Sequence, residues 1–181
     1  MKKRTVLLTE ISICVALALV LDFIKIWRAP QGGSVNLAAV PIIVLAFRRG
    51  LTPSLTAGGL LGLLKIFIGG YVVHPLQAIL DYPLAFLLLG LAGIFFSLFQ
   101  QKNKRVLAII LGTILSFAGR FACHFLAGVI YFSQYAPANI SVARYTAVYA
   151  GSHLLPAAAL TIVVLLALLP YGILALDEKG I

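Results

Sequence analysis

The sequence consists mostly of long apolar runs, each close to the length that a helix needs to cross a lipid bilayer. A helix rises about 1.5 Å per residue, so about 20 apolar residues span the ~30 Å hydrocarbon layer. Only 10% of the 181 residues are charged, whereas a soluble domain carries about 25%. The sequence therefore predicts an all-α integral membrane protein with a single transmembrane domain over residues 1–181.

Six segments are predicted to form transmembrane helices, and the second of them is short and contains Pro41. Two interpretations of this short segment remain open: a tilted helix, or one that packs against protein rather than lipid. The first segment follows a basic N-terminus as a signal peptide does, but it runs on for roughly 22 residues without a small-residue cleavage site. We therefore expect it to be retained. The predicted segments are residues 5–26, 36–47, 51–71, 76–99, 105–131 and 144–170.

The positions of lysine and arginine predict the orientation in the cell membrane. If all six segments cross, the N-terminal basic cluster, Arg48-Arg49, the cluster from Lys102 to Arg105 and Lys179 share one side. Cytoplasmic loops carry an excess of Lys and Arg, so both termini are predicted to be cytoplasmic. The loops at residues 30–34 and 133–144 would then lie outside.

Several classes of function are disfavoured by motifs that the sequence lacks. The net charge of +9 arises from short basic clusters between apolar runs, which is not the pattern of a nucleic-acid-binding protein. Cys14 and Cys123 lie in apolar segments without CxxC spacing, so neither a disulfide nor a metal site is expected. No GxxxxGK[ST], HExxH or GxSxG motif occurs, which excludes ATP hydrolysis through a P-loop and gives no support to a cofactor or metal.

Seven ionisable side chains fall at membrane depth, where each is costly unless it has a partner. Glu10 lies near the predicted cytoplasmic edge, within reach of the basic N-terminus. Asp22, Lys25 and Lys65 lie within reach of the outer interface, so a structural role is favoured for all four residues. The seven at depth are Glu10, Asp22, Lys65, Asp81, Arg120, His124 and His153.

Three of these residues are predicted to meet in the outer half of the bundle. Arg120 and His124 are four residues apart and so share one helix face, and Asp81 lies about one turn into the fourth segment. A structural Asp–Arg pair and a polar pocket open to the outside both remain possible. Tyr145 and Tyr149, also four apart, favour the pocket, although tyrosines at helix ends are equally typical of an aromatic belt.

Small residues on the first helix provide a candidate docking surface. Ser12 and Ala16 are four residues apart, and this spacing lets another helix approach closely in lipid. The same spacing occurs in many helix bundles, so packing within the protein is the alternative. We predict Ser12 and Ala16 as partner-docking residues.

Short motifs along nearly the whole chain occur in the order and spacing found in one family. They are Leu8-Thr9-Glu10-Ile11, Pro30-Gln31-Gly32-Gly33-Ser34-Val35, Phe47-Arg48-Arg49-Gly50, His74-Pro75-Leu76-Gln77 with Asp81-Tyr82, Gly119-Arg120 with His124-Phe125-Leu126-Ala127-Gly128, Phe132-Ser133-Gln134-Tyr135-Ala136-Pro137, and Tyr145. On these motifs the sequence resembles the ThiT family, the thiamine-specific S-components of energy-coupling factor (ECF) transporters.

The resemblance implies a six-helix S-component bundle that binds thiamine from outside. It also implies, as partners, a membrane coupling protein and two cytoplasmic ATPases, which fits the missing P-loop. Residues at the positions of Asp81 and Arg120 would hold the aminopyrimidine, and aromatic rings would face the thiazolium cation. The implied ligand-binding residues are Asp81, Tyr82, Arg120, His124, Gly128, Phe132, Tyr145 and Tyr149, beneath a lid formed by Gln31, Gly32, Gly33 and Ser34.

The sequence departs from the family at two positions. Phe132 stands where Trp is frequent, which weakens a cation–π contact, and Ala150 stands where Asn is common, which removes a hydrogen-bonding group. The alternatives are the same fold with another vitamin or a thiamine precursor as ligand, an intramembrane enzyme using His124 and Arg120, and a structural membrane scaffold.

Overall fold

The computed structural model describes residues 2–174, so Lys179, which the orientation prediction uses, lies outside the described residues. Six helical segments follow one another, and a short antiparallel hairpin joins the first two. The helices are α1 (Lys2–Phe23), α2 (Ala39–Arg49), α3 (Leu51–Phe67), α4 (Pro75–Gln100), α5 (Arg105–Tyr131) and α6 (Val142–Leu168), and the hairpin strands are β1 (Trp27–Arg28) and β2 (Ser34–Val35).

Four of the helices, α1, α4, α5 and α6, are long and apolar enough to cross a membrane. Helix α3, with 17 residues, is a shorter apolar helix, and α2 has only 11 residues. Each predicted segment therefore contains a helix, while the number of six membrane crossings stays a prediction. The all-α prediction missed the hairpin: the first helix ends at Phe23 rather than at residue 26, because the chain turns there into β1.

Helix α2 is enclosed by protein. It would extend about 16 Å, roughly half of the hydrocarbon layer. Of the two interpretations of the short second segment, packing against protein is the one that the structure shows. Its buried side chains are Ala39, Val40, Pro41, Ile42, Ile43, Leu45, Ala46 and Phe47.

Helix α1, by contrast, exposes apolar side chains along much of its length. Such a surface would promote aggregation in water but is suited to contact with lipid or a partner helix. Ser12 and Ala16 are exposed on α1, and Ser12 Oγ donates a hydrogen bond to the carbonyl of Leu8 within the helix (2.9 Å). The exposed large apolar residues of α1 are Val6, Leu8, Ile13, Leu17, Val20 and Phe23.

Glu10 pairs with α2. Its carboxylate accepts hydrogen bonds from Arg49 Nε and Nη2 and from Arg48 Nη2, and Arg48 Nη1 donates to the carbonyl of Ile173 (2.8 Å). We predicted partners at the basic N-terminus, whereas the described partners are the two arginines at the end of α2. This ion-pair cluster ties α1, α2 and the segment after α6 together.

Glycines allow α3 and α4 to pack backbone against backbone. A Cβ atom at Gly93 would lie 2.5 Å from Leu51 Cα, and one at Gly58 would lie 2.2 Å from the carbonyl oxygen of Phe86. Contacts this short leave no space for any side chain at these positions. Close approach of this kind is how small residues stabilise helix pairs in membranes.

Helix α4 is irregular where it carries the predicted site residues. Residues Leu80–Leu84 form a π-helical turn that contains Pro83, and the N–H of Ala85 donates to the carbonyl of Leu80, five residues earlier. Pro83 has no N–H to donate, which disrupts the regular α-helical ladder. Single π-turns of this kind are frequent at functional sites, and this one presents Asp81 and Tyr82.

Candidate ligand-binding site

A cavity of about 680 Å³ lies beneath the hairpin, between α1, α3, α4, α5 and α6. Its size is within the range of about 300–1,000 Å³ that is typical of small-molecule sites. The structure brings every predicted ligand-binding and lid residue to this cavity; that they bind a ligand stays a prediction. The predicted residues that line it are Asp81, Tyr82, Arg120, His124, Gly128, Phe132, Tyr145, Tyr149, Gln31, Gly32, Gly33 and Ser34.

Asp81 is held by two hydrogen bonds, one to each carboxylate oxygen. His124 Nδ1 lies 2.8 Å from Oδ1, and Gln77 Nε2 donates to Oδ2 (2.7 Å). On the other side of the imidazole, Arg120 Nε donates to His124 Nε2 (3.3 Å). A neutral His124 with its proton on Nδ1 satisfies both contacts, because Nδ1 then donates to the carboxylate and Nε2 accepts from the guanidinium.

Asp81 and Arg120 form no direct ion pair within residues 2–174, because His124 stands between them. Of the two alternatives left open by the sequence, a structural Asp–Arg pair and a polar pocket, the structure shows no direct contact of the first kind among these residues. The guanidinium of Arg120 instead lies over the ring of Phe86, 4.3 Å from its centroid. A cation over an aromatic face is stabilised electrostatically. The Phe86 ring therefore stabilises the charge of Arg120, which Asp81 does not contact.

Gln77 connects Asp81 to the loop between α3 and α4. It is only 1% exposed, and its amide accepts a hydrogen bond from Val73 N–H (3.1 Å) while donating to the carbonyl of Tyr71 (3.2 Å) and to Asp81. The same loop is fixed by Tyr82, whose hydroxyl accepts from Tyr71 N–H (2.7 Å). We assigned no role to Gln77 from sequence, although it lies one helical turn before Asp81.

Asp22 and Lys65 form an ion pair across α1 and α3, and both line the cavity. Asn36 Nδ2 donates to Asp22 Oδ1 (2.9 Å) and to Ser34 Oγ (3.1 Å), which links the pair to the lid. Sequence reasoning placed Asp22, Lys25 and Lys65 at the outer interface without a role in the site. All three line the cavity, so that interpretation missed part of its charge.

The predicted lid loop is a β-hairpin. Trp27 pairs with Val35 and Arg28 with Ser34, and Gly32, with a φ of 99°, supplies the left-handed residue that its tight turn requires. Turn and strands together give the lid a defined shape.

The lid rests directly on α6. The N–H of Gly33 donates to the hydroxyl of Tyr149 (3.0 Å). A Cβ atom at residue 33 would lie 2.6 Å from Nδ1 of His153. Glycine is therefore required at this position by the close approach of the imidazole ring.

Aromatic rings cover much of the remaining cavity wall. Tyr71 stacks near Phe132 with centroids 6.3 Å apart, and Tyr145 lies nearly parallel to Tyr149 at 6.4 Å. In the loop after α5, a hydrogen bond with Tyr71 raises the pKa of Tyr135. The faces of these rings suit a flat or cationic ligand.

Gly128 and Ala150 contribute through packing. A Cβ atom at Gly128 would lie 2.3 Å from Thr146 Cγ2, so its glycine lets α5 approach α6 at the cavity wall. Ala150 is 1% exposed and belongs to the core.

Among the described residues, no group of three or more His, Cys, Asp or Glu side chains is arranged to hold a metal ion.

The chain matches the family described as "Thiamine transporter protein (Thia_YuaJ)" over residues 8–174. It is 36% identical over 191 aligned positions to thiamine transporter ThiT of Lacticaseibacillus paracasei, covering 98% of this chain and 95% of the relative. It is also 33% identical over 172 positions to thiamine transporter ThiT of Bacillus subtilis, covering 90% of each.

The fold is similar to that of a solved structure of ThiT from Listeria monocytogenes. The two superpose with a TM-score of 0.88 at 28% identity, covering 96% of this chain and 100% of the other. The family is one of transporters, not of enzymes. The chain therefore belongs to the thiamine transporter protein family, as its sequence motifs indicated.

Proposed function

We propose that this protein binds thiamine with high affinity at the outer face of the cell membrane and is the S-component of an ECF-type importer. The observation that carries the proposal is the composition of the cavity, where a hydrogen-bonded Asp81–His124–Arg120 row lies among aromatic rings. Two relatives, of whose length 95% and 90% are covered by the match, are named thiamine transporter ThiT.

The polar row is suited to an aminopyrimidine. Each oxygen of Asp81 accepts one hydrogen bond from the protein, and a carboxylate oxygen has a second lone pair for an N–H of a ligand. Hydrogen bonds to a charged acceptor are stronger than those between neutral groups. Because His124 and Gln77 fix both oxygens, the carboxylate is oriented before the ligand arrives.

The aromatic rings are suited to the thiazolium, which is a permanent cation. A cation over a ring face gains about 0.5–2 kcal/mol, and Phe132, Tyr145 and Tyr149 present rings to the cavity. The four basic side chains of the lining do not prevent a cation from binding; they are Lys25, Arg28, Lys65 and Arg120.

Two of those four basic residues are locally compensated, and the other two lie at the surface. Lys65 is paired with Asp22, and the Arg120 guanidinium lies over Phe86. Lys25 and Arg28 are exposed, where water and salt screen their charge.

Binding is tested by calorimetric titration of the purified protein in detergent. Thiamine is expected to bind tightly, and its separate pyrimidine half only weakly, because the half-molecule lacks the cation that the rings would hold. If the pyrimidine half or another vitamin saturates the protein and thiamine does not bind, a thiamine precursor or that other vitamin is favoured as the ligand. Absence of thiamine binding altogether would overturn the proposed function.

ATP-driven transport would need a partner that hydrolyses ATP, because this sequence has no P-loop. A membrane coupling protein and two cytoplasmic ATPases are the proposed partners, and the exposed Ser12 and Ala16 on α1 are the proposed contact. Ser12→Trp combined with Ala16→Trp is expected to abolish uptake and leave thiamine binding intact. Uptake at the wild-type rate in the double variant would remove this contact from the proposal.

The proposed orientation places both termini in the cytoplasm, as the one-sided basic clusters favour. In a background with Cys14 and Cys123 replaced by Ala, Ala138→Cys should react with an impermeant reagent added to intact cells. Asn103→Cys should react only after lysis. The reverse pattern would show the opposite orientation.

A further inference from the structure

His153 lines the cavity but has no role in the site as described so far. It lies on α6 one turn after Tyr149 and is 4% exposed. Its ring stands edge-on to that of His124, with centroids 6.0 Å apart. An imidazole at this depth, next to the residue that binds Asp81, is within the polar part of the cavity.

The hydrogen bond at one ring nitrogen fixes the tautomer. His153 Nδ1 lies 3.0 Å from the carbonyl oxygen of Tyr149. A carbonyl oxygen only accepts, so Nδ1 carries the proton, and Nε2 of the neutral ring is an acceptor with a free lone pair.

The acceptor nitrogen of His153 is not used within the described part of the protein. Within residues 2–174, no hydrogen bond involves His153 Nε2. The one buried side-chain N or O atom without a hydrogen-bond partner in this range is Thr113 Oγ1. His153 Nε2 is therefore not a buried atom without a partner, and the open space that His153 lines is the cavity.

The ring is also held in place from above. Gly33 of the lid approaches so closely that a Cβ atom there would lie 2.6–2.9 Å from three atoms of the His153 ring. Gly33 is itself bound by the hydroxyl of Tyr149. With the lid on one side and the Tyr149 carbonyl fixing Nδ1, the direction of Nε2 is set before any ligand enters.

We propose that His153 is a ligand-binding residue whose Nε2 accepts a hydrogen bond from the exocyclic amino group of the pyrimidine. This inference rests on the proposed function. An amino group has two N–H donors; Asp81 accepts one of them and His153 accepts the other. The site thereby distinguishes an amino group from an oxo group at the same ring position, because an oxo group would place two acceptors against each other.

The test compares thiamine with oxythiamine, in which an oxo group replaces that amino group. His153→Phe keeps an aromatic ring against Gly33 and removes both nitrogens. It is expected to weaken thiamine binding roughly 3- to 10-fold, the loss of one hydrogen bond. Oxythiamine binding should not weaken, because the variant also removes an acceptor that opposes the oxo group. His153→Gln, which can place an amide oxygen near the former Nε2, is expected to recover part of the thiamine affinity.

Two results would overturn the inference: wild-type affinity for thiamine in His153→Phe, or an equal loss of affinity for thiamine and oxythiamine, which would show a packing role only. If His153→Phe does not fold, ¹⁵N spectra of histidine-labelled wild-type protein decide. The Nε2 resonance of His153 should shift on addition of thiamine and not of oxythiamine, and no shift with thiamine contradicts the inference. Failure of the wild-type protein to bind thiamine would instead count against the proposed function.

Discussion

Helices α4 and α5 pass through two regions that are held together in different ways. At one end, which we call the packed end, Phe47 stacks on Phe99 with centroids 4.7 Å apart, and Gly93 leaves no space between α4 and Leu51. At the other, the cavity end, Asp81 and His124 meet through a hydrogen bond beside a space of about 680 Å³.

The two ends are stabilised differently because one end is filled by packed side chains and the other encloses a cavity. The packed end fills space, so its stability depends on contacts that only close approach provides. The cavity end must keep space open, so its walls are held by directional hydrogen bonds. Gln77 donates to Asp81 and to the carbonyl of Tyr71, and Asn36 donates to Asp22. We therefore expect a change of volume between α3 and α4 to damage the packed end, and a change of polarity around Asp81 to damage the cavity end.

The largest effect on stability is expected from Gly93→Ala at the packed end. Its Cβ atom would meet the backbone of Leu51 at 2.5 Å, and overpacking of this kind costs about 1–3 kcal/mol. Gly59→Ala is the matched control, because its Cβ would meet only the side chain of Leu87 at 3.6 Å. Unfolding followed in detergent should show a loss for the first variant alone, and equal stabilities would contradict the comparison.

Gln77→Leu should have the next largest effect, this time on binding. Leucine keeps the volume but leaves Val73 N–H and one oxygen of Asp81 without their partner. It also removes one of the two hydrogen bonds that the carbonyl of Tyr71 accepts. Unsatisfied groups cost about 1–3 kcal/mol, so thiamine affinity should fall about tenfold. Hydrogen exchange at Tyr71 and Val73 should also become faster.

The exposed Gln100 provides the control for that variant, since Gln100→Leu adds the same side chain at the opposite end of α4. It should change neither thiamine affinity nor exchange in the loop. Unaltered affinity in Gln77→Leu would show that the loop and the carboxylate act independently.

Tyr149→Phe should have the smallest effect, because it removes only the hydroxyl that accepts a hydrogen bond from Gly33 N–H in the lid. One such bond contributes about 0.5–1.5 kcal/mol, so thiamine should dissociate roughly 2- to 12-fold faster. Stopped-flow fluorescence of Trp27 in the lid measures this rate. Tyr171→Phe, at an exposed position outside the cavity, should leave the rate unchanged.

The sequence predicted what depends on local patterns. Long apolar runs identified a helix in each of the six segments, and the spacing of Arg120 and His124 placed both on one face. The helix end at Phe23 was missed because Ile24, Ile26 and Trp27 continue the apolar run into the hairpin.

Contacts between distant segments were less accessible from sequence. Asp22 and Lys65 are 43 residues apart, and Glu10 and Arg49 are 39 apart. Which of several charged groups meet depends on how each helix is rotated and packed, and local spacing does not determine that. The insertion of His124 between Asp81 and Arg120 has the same origin.

The central claim is that the network around Asp81 is a binding site rather than a structural clamp. Calorimetry with thiamine on wild-type protein and on Asp81→Asn, together with the unfolding of both without ligand, tests it most directly. Asparagine keeps the shape and removes the charge, and a hydrogen bond to a charged group contributes about 1.5–3 kcal/mol. The account predicts a folded variant that binds thiamine at least about tenfold more weakly. Wild-type affinity combined with reduced stability would show a clamp, and would contradict the account.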